Sequence, residues 1–183
     1  MCSKVLIISG SPRKGGNTDM LCDRFAEGAR DAGNQVTKLR VADLDIHMCT
    51  GCDSCVRTGT CVYRDDMARV RDEMMAADAI VFASPVYFYT ISAQIKALID
   101  RMVPFYTDLH DKSVYFIVAA ADPDESMLEL SVECFRGLTR DCMEDAVEKG
   151  VIKATGVWEK GAVQGTPFMS QAYQMGKSVS RLS

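Results

Sequence analysis

Short apolar runs alternate with amphipathic stretches along the whole chain of 183 residues. Five runs have the length and apolar content of strands, and they cover residues 4–9, 35–41, 79–83, 114–119 and 151–158. Apolar residues at a spacing of three or four predict helices between and after them, over residues 17–32, 65–77, 92–103, 124–149 and 166–179. In the first helix, Leu21, Phe25 and Ala29 share one face.

The alternation of strands and helices predicts an α/β fold in which helices cover both faces of a parallel sheet. Right-handed crossovers favour a doubly wound sheet, for which five strands commonly take the order 2-1-3-4-5. No repeat or linker interrupts the pattern, so we expect one domain over residues 1–183. In this order a ligand binds where the carboxyl ends of the first and third strands meet.

Composition narrows the range of partners. The net charge of −4 does not fit a protein that mainly binds nucleic acid. No apolar run reaches the length of a membrane span and the amino-terminal residues lack a signal-peptide pattern, so we expect a cytoplasmic protein without a membrane partner. Eight cysteines are many for such a chain, and in a reducing compartment they favour metal or redox chemistry over disulfides.

The first strand runs into a loop of glycine, hydroxyl and amide residues, Ser9-Gly10-Ser11-Pro12-Arg13-Lys14-Gly15-Gly16-Asn17-Thr18, which we name the phosphate loop. Backbone N–H groups of such a loop and of the next helical turn attract an anion. Ser11, Asn17 and Thr18 add side-chain donors, and Arg13 adds positive charge. The loop has neither the P-loop nor the dinucleotide glycine pattern. It suits a terminal phosphate monoester such as that of FMN, although a plain turn capped by Asn17 or Thr18 is the alternative.

A second loop, Ser84-Pro85-Val86-Tyr87-Phe88-Tyr89-Thr90, follows the third strand and is expected beside the phosphate loop. An isoalloxazine ring needs a flat apolar wall and backbone hydrogen-bond donors, and a loop of this composition supplies both. The simpler interpretation places Tyr87 or Phe88 in the core at the edge of the sheet. The neighbouring phosphate loop favours the flavin interpretation.

Together the two loops resemble those of NAD(P)H-dependent FMN reductases of the flavodoxin-like superfamily. The segments 96–101, 158–161 and 172–177 are also similar to this family, so the resemblance covers nearly the whole chain. It implies FMN rather than FAD as the cofactor. It also implies that the phosphate is held by Ser11, Arg13, Asn17 and Thr18, and the ring by Pro85, Val86, Tyr87 and Phe88.

The function predicted from this resemblance is an FMN-dependent oxidoreductase. NAD(P)H would pass hydride to flavin N5, and the reduced flavin would then reduce free flavin, a quinone or another small acceptor. No catalytic side chain is predicted because the flavin carries the chemistry. The family also implies a homodimer or homotetramer. Tyr87 and Tyr89 are candidates for shaping the substrate pocket.

Four cysteines form the second strong motif, with the spacing C-x2-C-x2-C-x5-C: Cys49, Cys52, Cys55 and Cys61. Four thiolates within thirteen residues suit a [4Fe–4S] cluster or, less well, a tetrahedral zinc ion. The motif resembles that of iron–sulfur flavoproteins, which implies electron flow from ferredoxin through the cluster to FMN. Free thiols packed near the flavin or a subunit contact are the alternative, and a non-enzymatic metal- or partner-binding module is a third possible function.

Other residues receive ordinary structural interpretations. We expect Asp100 and Arg101 to form a surface pair at a helix end, although Arg101 at a subunit contact is an alternative. Cys22 and Cys134 are expected in the core. We expect the acidic loop at residues 120–126 to point partly away from the flavin, with Asp122 or Asp124 as a helix cap.

Overall fold

The computed structural model describes residues 2–180. The strands are β1 (Lys4–Ser9), β2 (Gln35–Arg40), β3 (Ala79–Tyr87), β4 (Thr90–Ile91), β5 (Ser113–Ala119) and β6 (Val147–Ala154). The α-helices are α1 (Asn17–Asp31), α2 (Ser54–Thr58), α3 (Met67–Ala76), α4 (Ala93–Asp100), α5 (Glu129–Asp141) and α6 (Pro167–Lys177). Within the described range no helix combines the length and apolarity that crossing a membrane requires.

The sheet confirms the predicted α/β class. Its strand order is β2-β1-β3-β5-β6, and all neighbours along this path are parallel. These five strands correspond to the predicted order 2-1-3-4-5. The short strand β4 was not predicted; it pairs antiparallel with the end of β3 and forms a hairpin there.

Alternate residues of the central strands enter two apolar clusters on opposite faces of the sheet. Ile80 and Phe82 of β3 join the cluster that also contains residues from α3, α4 and α5. Val81 and Ala83 join the cluster with residues from α1 and α6. Because β3 is buried on both faces, its sequence is a continuous apolar run rather than an alternating one.

The carboxyl-terminal part of the fold departs from the predicted element bounds. Helix α5 ends at Asp141, whereas the predicted helix continued to residue 149. Strand β6 begins at Val147 instead of residue 151 and ends before Trp158. Its first three residues are exposed, so the apolar pattern does not reveal them, and main-chain pairing with β5 defines them instead.

Candidate functional site

A cavity of about 1010 Å³ opens where the carboxyl ends of β1 and β3 meet. The structure brings all eight predicted cofactor-binding residues to its wall: Ser11, Arg13, Asn17, Thr18, Pro85, Val86, Tyr87 and Phe88. The first four come from the phosphate loop and the start of α1, and the others come from the end of β3 and its hairpin turn. The two sequence-distant motifs therefore form one site.

The start of the phosphate loop is bound to both neighbouring elements. Gly10 N donates to Ala83 O of β3 (2.8 Å), and Ser92 Oγ donates to Gly10 O (2.7 Å). A Cβ atom at Gly10 would lie 2.7 Å from Ile95 Cβ of α4, so only glycine permits this approach. The end of β1 is thereby fixed against β3 and α4 before the chain turns into the cavity.

The rest of the loop brings the uncapped start of α1 to the cavity. Gly16 N donates to Arg13 O (3.0 Å), which closes a turn, and no side chain caps the first turn of α1 that follows. The hydroxyl-bearing residues Ser11 and Thr18 line the cavity and are almost completely buried. Uncapped N–H groups at a helix start and buried hydroxyl groups fit a phosphate monoester.

Asn17 contributes differently from the prediction that its side chain binds phosphate. Its Nδ2 donates to Val157 O (3.0 Å) and Glu159 O (2.9 Å). Its Oδ1 accepts from Gly161 N (3.0 Å) and Val163 N (3.2 Å). All donors and acceptors of the amide are thus used to hold the loop after β6, which leaves only the backbone of Asn17 for an anion.

The aromatic loop is largely a continuation of β3. Pro85, Val86 and Tyr87 belong to the strand, which turns sharply at Phe88 and Tyr89 into β4. Both turn residues have positive φ angles, 50° and 66°, in a position where such hairpins usually carry Asn or Gly. Phe88 is 98% exposed, so the predicted alternative of a core aromatic does not apply to it.

Trp158 and Cys134 are among the cavity residues that were not predicted as site residues from the sequence. Trp158, which is 68% exposed, lines the cavity from the loop held by Asn17. Cys134 is half-buried: it packs against the core cluster as expected, and it also lines the cavity, with Sγ 3.2 Å from Thr90 Oγ1. Cys22, in contrast, is fully buried as predicted. The similarity of segment 158–161 to the reductase family was the one signal that pointed to Trp158.

The acidic loop after β5 follows the expectation. Asp124 caps the helical turn before α5, because its Oδ1 accepts from Ser126 N (2.9 Å). Ala120 and Ala121 line the cavity, whereas Asp122 borders a smaller adjoining cavity of about 280 Å³. The loop therefore presents small apolar residues to the main site.

The cysteine motif lies on residues 49–61, which we name the cysteine segment. Cys49 and Cys52 are exposed, and Cys55 and Cys61 are half-buried. Over residues 2–180, no three His, Cys, Asp or Glu side chains are grouped so that they could hold a metal ion. The donor chemistry suits a cluster or zinc, but the arrangement of the predicted ligands Cys49, Cys52, Cys55 and Cys61 does not bring them to one centre.

A buried ion pair fixes the base of the cysteine segment, and it corrects the surface role expected for Arg101. Arg101 is 3% exposed, and its Nη atoms donate to both carboxylate oxygens of Asp65 (2.7 and 3.0 Å) and to His47 O (2.6 Å). Burial opposes ionisation of Asp65, but Arg101 and two backbone N–H groups outweigh it and lower the pKa of Asp65 to about 2. Asp100 pairs instead with Lys96 at the surface.

Fold and cavity together place the chain in the class of flavodoxin-like, doubly wound α/β proteins. Residues 3–129 match the family model described as NADPH-dependent FMN reductase. The chain therefore belongs to the NADPH-dependent FMN reductase family.

Several relatives carry names that mention iron and sulfur. An iron-sulfur flavoprotein of Archaeoglobus fulgidus is 40% identical over 102 residues, which cover 56% of this chain and 46% of that protein. One from Methanocaldococcus jannaschii is 40% identical over 101 residues, covering 55% and 52% of the two chains. Each match thus spans about half the length of these relatives.

Solved structures share the fold at low sequence identity. An NAD(P)H:quinone oxidoreductase from Methanothermobacter marburgensis aligns with a TM-score of 0.74 at 14% identity, over 97% of this chain and 96% of that one. A flavone reductase aligns with a TM-score of 0.72 at 21% identity, over 95% of this chain and 60% of the other. At these identities the likeness concerns the fold.

Proposed function

We propose that this protein is an FMN-dependent oxidoreductase that uses NAD(P)H to reduce a small planar acceptor such as a flavin or a quinone. The observation that carries the proposal is the meeting of the phosphate loop and the aromatic hairpin on one cavity. Membership of the FMN reductase family supports the same cofactor. When bound, FMN supplies the hydride chemistry, so the protein needs to bind and orient rather than to donate a catalytic side chain.

The cofactor phosphate is assigned to the phosphate loop. Thr18 offers a buried hydroxyl group, the buried Ser11 hydroxyl would exchange its bond to Arg13 O (3.2 Å) for one to the phosphate, and Arg13 offers charge at the cavity wall. The uncapped first turn of α1 adds backbone N–H groups, including that of Asn17. In this assignment the Asn17 side chain acts indirectly, because it holds the loop that carries Trp158.

The isoalloxazine ring is assigned to the wall formed by Pro85, Val86, Tyr87 and Phe88. This wall is mainly apolar, and its aromatic residues stay accessible at the mouth of the cavity. A planar donor or acceptor would stack between this hairpin and Trp158. The names of the structural neighbours, a quinone oxidoreductase and a flavone reductase, favour planar aromatic acceptors.

The absorption spectrum of the purified protein, with analysis of any released cofactor, tests this function. We expect a flavin spectrum, release of FMN and oxidation of NADH or NADPH in the presence of a quinone. Ser11→Ala should weaken FMN retention, whereas Ser178→Ala, at the end of α6, should not. A colourless protein that takes up no FMN would overturn the proposal.

A second candidate function is electron transfer through an iron–sulfur cluster on the cysteine segment, with ferredoxin as the donor. The spacing of the four cysteines and the names of the relatives favour it. The thiols do not converge in the structure, so we derive no electron-transfer step from it. Anaerobic purification followed by iron and sulfide analysis decides: about four irons per chain would support a [4Fe–4S] cluster, and none would remove this candidate.

We also propose that the protein forms a homodimer or homotetramer through the cavity mouth. Phe88 and Trp158 are large, exposed aromatic side chains at this cavity, and the exposed Tyr89 borders the adjoining smaller one; such surfaces commonly mark protein contacts. Light scattering should give a multiple of the 20.1 kDa chain mass, and Phe88→Glu should reduce it. A monomer at micromolar concentration would contradict the assignment.

A further inference from the structure

Asp19, a charged residue that no motif singled out, lies directly behind the phosphate loop. It is the third residue of α1 and is 3% exposed. Its Oδ2 accepts from Gly15 N (2.8 Å), and its Oδ1 accepts from Ser9 Oγ (3.3 Å). One carboxylate therefore holds both the start and the turn of the loop.

Two basic residues of β2 contact the same carboxylate from the side away from Gly15. Lys38 Nζ lies 2.7 Å from Asp19 Oδ1, and Arg40 Nε lies 3.4 Å from it. Burial by itself would raise the pKa of Asp19, but the Lys38 ammonium and the Gly15 N–H outweigh burial and lower it. The buried Asp19 carboxylate is thus ionised and paired with Lys38 and Arg40.

The direction of the Gly15 amide explains how this contact shapes the loop. Gly15 has a φ angle of +65° and is the third residue of the turn that Gly16 N closes onto Arg13 O. Ser11, Arg13 and Gly16 line the cavity, whereas Lys14 and Gly15 are absent from its wall. By accepting from Gly15 N, Asp19 holds the tip of the turn against α1, whereas Ser11, Arg13 and Gly16 remain at the cavity wall.

We propose that Asp19 is a positioning residue for the cofactor phosphate, which it orients through Gly15 and the phosphate loop without touching the ligand. This inference rests on the proposed FMN site. A negative charge near a bound phosphate is unfavourable by Coulomb's law, so neutralising Asp19 would tighten phosphate binding if charge alone mattered. If Asp19 positions the loop, the same change weakens phosphate binding. A purely structural role predicts a third result, an equal loss for ligands with and without a phosphate.

The test compares FMN with riboflavin, which has the same ring system but no phosphate. Dissociation constants of both flavins are measured on flavin-free wild-type protein and on Asp19→Asn. We expect Asp19→Asn to weaken FMN binding about tenfold, because the hydrogen bond from Gly15 N loses its charged acceptor and an NH2 group replaces the oxygen that faces Lys38 and Arg40, and to change riboflavin binding by less than about twofold. Asp23→Asn is the matched control, because Asp23 contacts the same Lys38 (2.6 Å) on the same helix but is exposed.

Two results would overturn the proposal while leaving the proposed function intact. One is FMN binding by Asp19→Asn that is unchanged or tighter, and the other is an equal loss for both flavins. Asp19→Glu provides a second variant if Asp19→Asn does not fold; it keeps the charge but displaces the carboxylate, and it should also lose FMN selectively. Wild-type protein that binds neither flavin would overturn the proposed function and this proposal together.

Discussion

The phosphate loop and the cysteine segment are both glycine-containing connections that lie beyond the end of a strand, yet the fold holds them differently. The phosphate loop is bound to β3, to Ser92 before α4 and to Asp19 of α1, and several of its residues are buried. The cysteine segment has hydrogen bonds such as Gly59 N to Cys55 O (2.8 Å) and Thr58 Oγ1 to Ser54 O (2.9 Å), which join neighbours along the chain. Contacts with the surrounding fold thus fix the phosphate loop itself, whereas in the cysteine segment they fix mainly the base, where Arg101 pairs with Asp65.

The largest expected effect on stability comes from breaking the Arg101–Asp65 ion pair at the base of the cysteine segment. Arg101→Met removes the partner of the buried Asp65 carboxylate, and such a loss costs about 3 kcal/mol or more of the free energy of unfolding. Urea denaturation measures it. The matched control is Asp100→Asn, whose exposed pair with Lys96 contributes less than about 0.5 kcal/mol. A loss below about 1 kcal/mol for Arg101→Met would mean that the ion pair does not anchor the segment.

Acid should weaken the same anchor. The folded-state pKa of Asp65 is about 2, below its ordinary value of 3.8, so its ionised form stabilises the fold above about pH 5. That contribution, roughly 2 kcal/mol, is lost as the pH falls through 4 towards 2. The difference in the free energy of unfolding between wild type and Asp65→Asn should therefore shrink over this range. A difference that stays constant with pH would contradict the assigned pKa.

A smaller effect on stability is expected at Asn17, whose side chain holds the loop after β6 at the cavity. Asn17→Ala removes four partly exposed hydrogen bonds and, at about 0.5 kcal/mol each, should cost about 2 kcal/mol of the free energy of unfolding. Trp158 is the single tryptophan of the sequence, so its fluorescence emission reports on this loop and should change in the variant. Asn34→Ala is the control, because Asn34 is a buried asparagine that bonds Ser3 and Val179 instead. Equal Trp158 emission in wild type and Asn17→Ala would refute this role of Asn17.

The smallest effect is expected within the cysteine segment itself. Cys52→Ser changes an exposed side chain and should alter the free energy of unfolding by less than about 0.5 kcal/mol. Thiol labelling gives an independent comparison: Cys52 should react quickly, whereas Cys22 should resist because burial raises its pKa to about 12. Slow labelling of Cys52 in the flavin-loaded protein would contradict the exposed position of this side chain in the cysteine segment.

Much of the architecture could be predicted from the sequence because buried strands and helix faces require recognisable patterns of apolar residues. The run Val5-Leu6-Ile7-Ile8 is buried on both faces, and a parallel central strand requires such a run. The fold order then brings the ends of β1 and β3 together, so the two loops could be paired before their geometry was known. The start of β6 escaped prediction because it is exposed and is defined by main-chain pairing.

The finer features of the site depend on contacts between residues that are distant in the sequence. Asp19 could have been a simple first-turn acid, and only the approach of Lys38 and Arg40 from β2 identifies its network. Arg101 directly follows the last residue of α4, yet His47 and Asp65 converge on it from the two ends of the cysteine segment. Local propensity contains no information about such partners.

Titration of flavin-free protein with FMN, followed by Trp158 fluorescence, tests the central claim most directly. Because Trp158 lines the cavity proposed to bind FMN, we expect saturable quenching with one FMN per chain. Riboflavin should quench with a larger dissociation constant than FMN, because it has no phosphate for the phosphate loop to bind. FMN binding without any change in Trp158 emission, or the absence of saturable binding, would mean that this cavity is not the FMN site.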